Sequence, residues 1–288
     1  MKVEFVKMNG CGNSQIIVDA EDVMKYVESD GLNLLAKTLL DEHFGIGADQ
    51  MLLCSPPSSG VDADAQMRIF NKDGSEVEMC GNGIRCMANH VYDTRAMIRE
   101  ELRIETPLHV GNEVKTVKLY PDTGHVKVDM GIGKYSGRLK LNINGEINVG
   151  YKVNVGNPHF VIFTADASKE LALSAGPGIE NFLKEFPEKT NVEFVKIKSR
   201  SNVDCYVWER GSGYTYACGT GATAVAYAGY EEGILNNKCA IGLPGGILDI
   251  EIKGDNLYLT GPVTQVGTMK MDYSDLEYLM KTVDGFED

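Results

Sequence analysis

The chain has 288 residues, 43% hydrophobic and 24% charged, a balance that excludes a disordered chain and allows one large domain or two of ordinary size. Its net charge of −13, with no Lys/Arg block, argues against a nucleic-acid partner, although a small anionic substrate stays possible because local groups decide that. No apolar run approaches the roughly 20 residues of a membrane span, and seven scattered cysteines without a CxxC pair point to the reducing cytoplasm, with no disulfide framework and no metal site.

Met1 to Phe5 reads as a strand rather than a signal peptide, and the strand continues over Val3–Met8. A Gly10-Cys11-Gly12-Asn13 turn leads to a second strand, Gln15–Val18. Leu32–His43 is an amphipathic helix with Leu32, Leu35, Ala36 and Leu39 on one face. The glycine-rich loop Gly45–Gln50 leads into a strand at Met51–Cys54, Ser55–Gly60 is a loop tip, Gln66–Phe70 a strand, and Asn71–Ser75 a turn. A Cys80-Gly81-Asn82-Gly83 unit then opens a helix with Ile84, Met87, Ala88 and Val91 on one face. Strands follow at Leu102–Thr106, Val114–Tyr120 and Val126–Met130, and Pro121–Gly124 is a plausible boundary between halves.

The second half echoes the first. Gly156-Asn157 precedes an apolar strand as Gly12-Asn13 does. Pro177–Phe186 is expected to be a helix with proline near its start. Val192–Ile197 and Val203–Trp208 are strands, and Glu209–Tyr216 a turn. Cys218-Gly219-Thr220-Gly221 repeats the earlier unit and opens a helix of small and apolar residues, which must run buried through its domain. Ile247–Ile252 and Leu257–Thr260 flank a hairpin turn at Gly254-Asp255-Asn256. Gly267–Met271 is the last strand, and Ser274 to Glu277 reads as a capping box for a terminal helix. The repeat predicts an α/β (α+β) chain of two similar halves, each with a central helix wrapped by strands.

A cysteine at a helix N-terminus feels the positive end of the dipole, which draws its pKa from about 8.5 towards neutrality. The adjoining first-turn N–H groups can hold an anion, and Gly81 and Gly219 let a ligand approach closely. If the two helix starts face each other, one carboxylate could bind both, with the sulfurs flanking the attached carbon. One thiolate would remove a proton and the opposite thiol return one, inverting the stereocentre without a cofactor. The bland alternative, that buried cysteines are inert small hydrophobes, holds for Cys11, Cys54, Cys86, Cys205 and Cys239.

Phe70 through Gly83, Gly45–Gln50, Gly156-Asn157-Pro158-His159, Thr190–Phe194, Trp208–Gly211 and Ala217–Gly221 together resemble the diaminopimelate epimerase family over nearly the whole chain. The resemblance implies cofactor-independent interconversion of LL- and meso-diaminopimelate in lysine biosynthesis, commonly by a homodimer. It also implies two pseudo-symmetric domains, 1–121 plus 266–288 and 122–265, each a mostly antiparallel sheet or barrel around a central helix, with the active site in the cleft between them. It makes Cys80 and Cys218 the acid/base pair. Gly81, Asn82, Gly219 and Thr220 would hold the reacting carboxylate, with Asn13, Gln50 and Asn157 nearby. Asn71, Asn191, Glu209 and Arg210 would bind the distal amino acid group, and His159 and Glu209 would tune the thiols. Three features depart from the family pattern: Ser14-Gln15 where an Asp and an apolar residue are common, Tyr214 where Glu is frequent, and residues 272–288 beyond the usual last strand. The rivals are a racemase of the same fold acting on another amino acid, a phenazine-biosynthesis-like isomerase, which would lack the paired cysteines, and a non-catalytic thiol protein.

Overall fold

The computed structural model describes residues 2–77, 80–107, 112–143 and 145–285. Met1, Glu78, Met79 and the last three residues, which figure in the sequence reading, lie outside that set. In chain order the elements are β1 (Lys2–Gly10), β2 (Asn13–Asp19), α1 (Ala20–Val23), α2 (Leu32–Leu40), β3 (Gln50–Ser55), β4 (Ala65–Asn71), β5 (Glu76–Val77), α3 (Gly81–Thr94), β6 (Glu101–Pro107), β7 (Asn112–Tyr120), β8 (His125–Ile132), β9 (Lys134–Ile143), β10 (Glu146–Asn154), β11 (Pro158–Phe163), α4 (Lys169–Glu180), β12 (Asn191–Ser199), β13 (Asn202–Glu209), β14 (Gly213–Thr215), α5 (Gly219–Glu231), β15 (Lys238–Leu243), β16 (Gly246–Lys253), β17 (Asn256–Pro262), β18 (Thr264–Asp272) and α6 (Tyr273–Asp284). They form two compact units, Met1–Val126 with Pro262–Asp288, and Lys127–Gly261.

The pairing order inside one unit is repeated inside the other. In the first, β1 and β2 are antiparallel, β2 and β3 parallel, β3 and β4 antiparallel; β4 then takes β5 antiparallel and β6 parallel, and β6 takes β7 antiparallel. In the second, β10, β11, β12, β13, β14, β15 and β16 pair in that same alternation. Each parallel pair needs a long crossover, and the crossovers carry the helices: α2 and α3 in the first unit, α4 and α5 in the second. Among the described residues these pairings form an open series in each unit, so the barrel alternative gives way to an open sheet around a helix.

The first unit's core gathers Val3, Phe5, Ile16, Leu35, Leu39 and Phe70, all at 0% exposure. Burial of each stabilises the fold by roughly 1.5–3 kcal/mol. Residues 273–284 belong to this core. Leu276 is fully buried in it, and Tyr273 stacks on Tyr26 with centroids 4.3 Å apart while donating its hydroxyl to the Tyr26 carbonyl. In the second unit α5 runs buried along nearly its whole length, because Ala222, Ala224, Val225, Ala226 and Ala228 let the surrounding strands approach.

Four local readings need correction. α2 stops at Leu40 rather than His43, because the Asp41 carboxylate accepts from the backbone N–H of His43 and Phe44 at 2.7 and 2.8 Å and turns the chain. α4 covers Lys169–Glu180 rather than Pro177–Phe186. Ser168 caps it by accepting from Leu171 N–H at 3.2 Å, and Pro177 sits inside its last turns. Gly213–Thr215, read as turn, is a strand hydrogen-bonded to β13. The terminal helix begins at Tyr273, so Ser274 lies within its first turn and not at the cap. Strands β9, β10 (apart from its last residues) and β15 had no counterpart in the sequence reading.

One surface cluster predicts an acid-stability effect. Glu251 binds Lys238, Lys127 and Lys253 at 2.7, 2.8 and 3.1 Å. The hydrogen bonds from these lysines hold its carboxyl at about 2 against an ordinary 4.5. Because the folded value is depressed, the stability this group contributes is complete above pH 4.5 and is lost as pH falls towards 2. Glu251→Gln is therefore expected to flatten that part of the stability–pH curve, measured by denaturant unfolding at stepped acid pH. An unchanged slope would refute it.

Candidate functional site

Both helices of the repeated unit start on a cysteine. Cys80 caps α3 with φ −119° and ψ 118°, and its sulfur accepts from Gly83 N–H at 3.4 Å. Cys218 caps α5 with φ −123° and ψ 117°, and its sulfur accepts from Gly221 N–H at 3.3 Å. The extended backbone at the cap turns each sulfur back over the first helical turn, so the polar face of the N-terminus and a thiol share one place. Gly81, Asn82 and Gly219 are buried beside the sulfurs. The second unit has little room there: a Cβ on Gly221 would lie 2.8 Å from Glu193 Oε1 and 3.3 Å from Cys218 Sγ.

Around Cys218 the structure brings together most of the residues expected in its half. Thr220 Oγ1 lies 3.4 Å from the sulfur and accepts from Asn157 Nδ2 at 3.4 Å. Asn157 Oδ1 lies 2.8 Å from His159 Nε2, and His159 Nδ1 lies 2.7 Å from Glu193 Oε1. Since Asn157 Oδ1 only accepts, His159 Nε2 carries a proton and the ring presents Nδ1 to the carboxyl. The result is one hydrogen-bonded string from Glu193 through His159, Asn157 and Thr220 to the Cys218 sulfur. Glu209 meets the same sulfur and accepts from the Thr215 hydroxyl.

Glu193 was missed as a functional residue. It is fully buried within the apolar run Val192–Val195, and its second carboxyl oxygen has no hydrogen-bond partner. The signal was a carboxylate in a strand buried on both faces, where charge survives only if paired.

Electrostatics correct the expected thiol acidity at Cys218. Burial pushes the Cys218 thiol well above its ordinary value, and the carboxylates of Glu209 and Glu193 push it further. The hydrogen bonds from Thr220 and Gly221 pull the other way without prevailing. Desolvation and two carboxylates outweigh one helix terminus, so this thiol rests protonated. Burial likewise raises the Glu209 carboxyl.

In the first unit the expected residues fall on a string of amides across three adjacent strands. Gln15 Nε2 donates to Asn13 Oδ1 and, at 3.3 Å, to Gln50 Oε1. Gln50 Nε2 donates to Asn71 Oδ1 at 3.1 Å. The two departures in β2 have distinct effects. Ser14 binds Asp49 through both its backbone N–H and its hydroxyl, at 2.7 and 3.1 Å, which ties the Gly45–Gln50 loop to β2. Gln15, fully buried, is an inner member of the amide string, between Asn13 and Gln50.

Asn191 is 3% exposed, and both ends of its amide are engaged: Nδ2 donates to Pro158 O and Oδ1 accepts from Arg210 N–H, each at 2.9 Å. It thereby fixes the backbone of Arg210, whose Nη1 donates to Glu188 O at 3.0 Å. Tyr214 packs against the apolar cluster beneath α4, with the Lys169 ammonium 5.3 Å from its ring centre.

Asp19, Cys54 and His90 place three potential metal-ligand atoms within 4.8 Å of one another. They are engaged with each other and with a cation. His90 Nε2 lies 3.0 Å from Asp19 Oδ2, and the Arg95 guanidinium donates to Cys54 Sγ at 3.7 Å. Burial, with Asp19 alongside, pushes the Cys54 thiol up to about 12. A cation at the sulfur and a thiol that keeps its proton make this cluster a hydrogen-bonded triad.

With the geometry in hand, three comparisons bear on family. The family model described as diaminopimelate epimerase matches residues 5–135 and 151–266. The diaminopimelate epimerase of Halothermothrix orenii is 40% identical, covering 94% of this chain and 98% of the relative, and that of Methanocaldococcus jannaschii is 37% identical, covering 93% and 98%. Among solved structures, a hydroxyproline epimerase from Agrobacterium vitis aligns with a TM-score of 0.70 at 13% identity, over 94% of this chain and 92% of that one. A phenazine biosynthesis protein from Bacillus anthracis aligns at 0.66 and 14% identity, over 94% and 99%. At those identities the solved structures establish the two-domain α/β fold alone, whereas the sequence matches establish descent: this chain belongs to the diaminopimelate epimerase family.

Proposed function

We propose that the chain interconverts LL- and meso-2,6-diaminopimelate in lysine biosynthesis, with Cys80 and Cys218 as a cofactor-independent acid/base pair. The observation that carries this reading is the repeated cap: two thiols held in nearly the same backbone geometry over two helix N-termini. In the reaction one thiolate takes the proton from the α-carbon and becomes a thiol. The electron pair left on carbon delocalises into the adjoining carboxylate, which the helix N-termini and the Asn82 and Thr220 side chains stabilise. The opposite thiol delivers its proton to the other face and becomes the thiolate, so the stereocentre inverts and the pair has exchanged protonation states.

Discrimination belongs to the distal end of the substrate. Arg210 suits the second carboxylate as a two-pronged donor, and Glu209 its ammonium. Asn71 and Asn191 complete that shell, Asn191 by holding the Arg210 backbone. Asn13, Gln50 and Asn157 support the reacting end, and His159 tunes Cys218 through the string described above. The reading includes a cytoplasmic homodimer. No helix among the described residues is long and apolar enough to cross a membrane.

Under reducing conditions in heavy water, LL-diaminopimelate is expected to become an LL/meso mixture with one deuterium at the inverted carbon, followed by NMR and mass spectrometry. Proline and histidine should show no exchange at matched concentration. Absence of exchange with diaminopimelate, or equal exchange with proline, would overturn the reading.

A further inference from the structure

Among the described residues the largest fully buried side chain is a cation. Arg85, one turn into α3, is 0% exposed. Its Nη1 donates to Gly81 O at 2.9 Å and its Nη2 to Cys11 Sγ at 3.7 Å, while its Nε has no acceptor. Among the described residues no carboxylate lies within ion-pair reach of it, and its electrostatic neighbours are the sulfurs of Cys11, Cys86 and Cys80. A guanidinium stays charged throughout the working pH range, and a buried charge without a counter-charge is strongly unfavourable. A residue placed this way calls for a negative partner.

The internal duplication separates the structural task of Arg85 from its charge. Thr223 stands in α5 where Arg85 stands in α3, and Thr223 Oγ1 donates to Gly219 O at 2.9 Å, matching the Arg85 bond to Gly81 O. A hydroxyl thus suffices for that bond. What Arg85 adds is the positive charge and a contact that spans to the β1–β2 turn.

The three sulfurs differ in their capacity to supply the negative partner. Cys86 is fully buried, and desolvation pushes its thiol up to about 12. Cys11 is 4% exposed, and burial raises it despite the guanidinium. Cys80 alone among them reaches partial exposure, where water can solvate an anion. In the other unit the sign is reversed, since Cys218 is held among the carboxylates of Glu209 and Glu193.

We propose that Arg85 is a positioning residue that supplies Cys80 with a buried counter-charge, so that the resting enzyme carries Cys80 as thiolate and Cys218 as thiol. The inference rests on the paired-thiol reading and adds which sulfur begins as the base. The substrate isomer that presents its α-proton to Cys80 is turned over by the resting form directly, and the other isomer requires the inverted pair.

The test reads the sulfur itself. Cys80 and Cys218 carbamidomethylation rates are followed against pH by peptide mass spectrometry in wild type, Arg85→Thr and Arg85→Lys. Wild-type Cys80 is expected to have the lower midpoint of the two. Arg85→Thr, which copies the twin residue and can keep the bond to the Gly81 carbonyl, should raise the Cys80 midpoint by about one pH unit or more and leave Cys218 in place. Arg85→Lys should stay near wild type. The acid limb of the kcat/KM profile for diaminopimelate should move with Cys80. If Arg85→Thr does not fold, as judged by circular dichroism, Arg85→Lys decides alone: a midpoint as low as wild type supports the proposal. A Cys80 midpoint unmoved in folded Arg85→Thr, or raised in Arg85→Lys, overturns it. Should the midpoint shift in a protein that epimerises nothing, the reaction reading fails and the electrostatic one stands.

Discussion

Replacing either Cys80 or Cys218 with alanine is expected to lower kcat/KM for diaminopimelate by about 10³-fold or more, the upper part of the range for losing a positioned acid or base. Inversion needs a proton acceptor on one face of the carbon and a donor on the other, so neither sulfur can cover for its twin. The change removes one sulfur from a cap whose backbone geometry is set by the glycine-rich turn and the strand before it, so both variants should keep wild-type circular dichroism. Cys239→Ala is the matched control. That thiol is buried in β15, and burial pushes it up to about 11. Its kcat/KM should stay within the wild-type range. An alanine variant at either cap that retained a near-native rate would remove that cysteine from the mechanism.

The second large effect concerns stability. His159 and Glu193 are both fully buried and 2.7 Å apart. Removing one partner of such a pair strands the other without solvent, at a cost of about 3–5 kcal/mol. His159→Leu should therefore destabilise the protein by that amount, read through Trp208, the chain's single tryptophan, which lies on β13 of the same unit. Replacing both residues with leucine should destabilise it by clearly less than the sum of the single changes, because no buried charge is left behind. Additive losses would mean that the two side chains act independently. The His159→Leu protein also breaks the hydrogen-bonded string to Cys218, so its residual activity reports how far that string matters to the thiol.

The parts of this structure legible in the sequence were those written in local signals. Cys80 and Cys218 could be placed at helix starts because a Gly-x-Gly turn and a helical run follow each one directly. α5 was readable as buried because its small residues leave no polar face. α4 was misplaced because proline is common in a helix's first turn, whereas Pro177 sits in the last turns of α4 and only the Ser168 cap and its bond to Leu171 reveal that the helix has already begun. β9 escaped because its inward positions are occupied by Tyr135, Gly137, Leu139 and Leu141 and most are only half buried, so the alternation is faint. The acidity of Cys218 was beyond local reading altogether. It is set by burial and then by Glu209 and Glu193, carried by two other strands that sequence distance does not place beside the sulfur. Glu193 itself was visible as an anomaly, but its meaning depended on His159 in the neighbouring parallel strand.

The antiparallel pairing of β1 with β18 joins the first described residues to the last strand of the chain, from Lys2 against Asp272 to Asn9 against Thr264. This sets an order of assembly during synthesis. Residues 127–261 form one uninterrupted stretch that can fold as soon as it leaves the ribosome, with Cys218 seated in its finished surroundings. The unit bearing Cys80 is made first yet completed last, since an edge of β1 waits unpaired until β18 emerges, and α6 follows to cover α2. Until β18 emerges, the nascent chain therefore carries an unpaired edge on β1, the kind of template on which neighbouring chains aggregate.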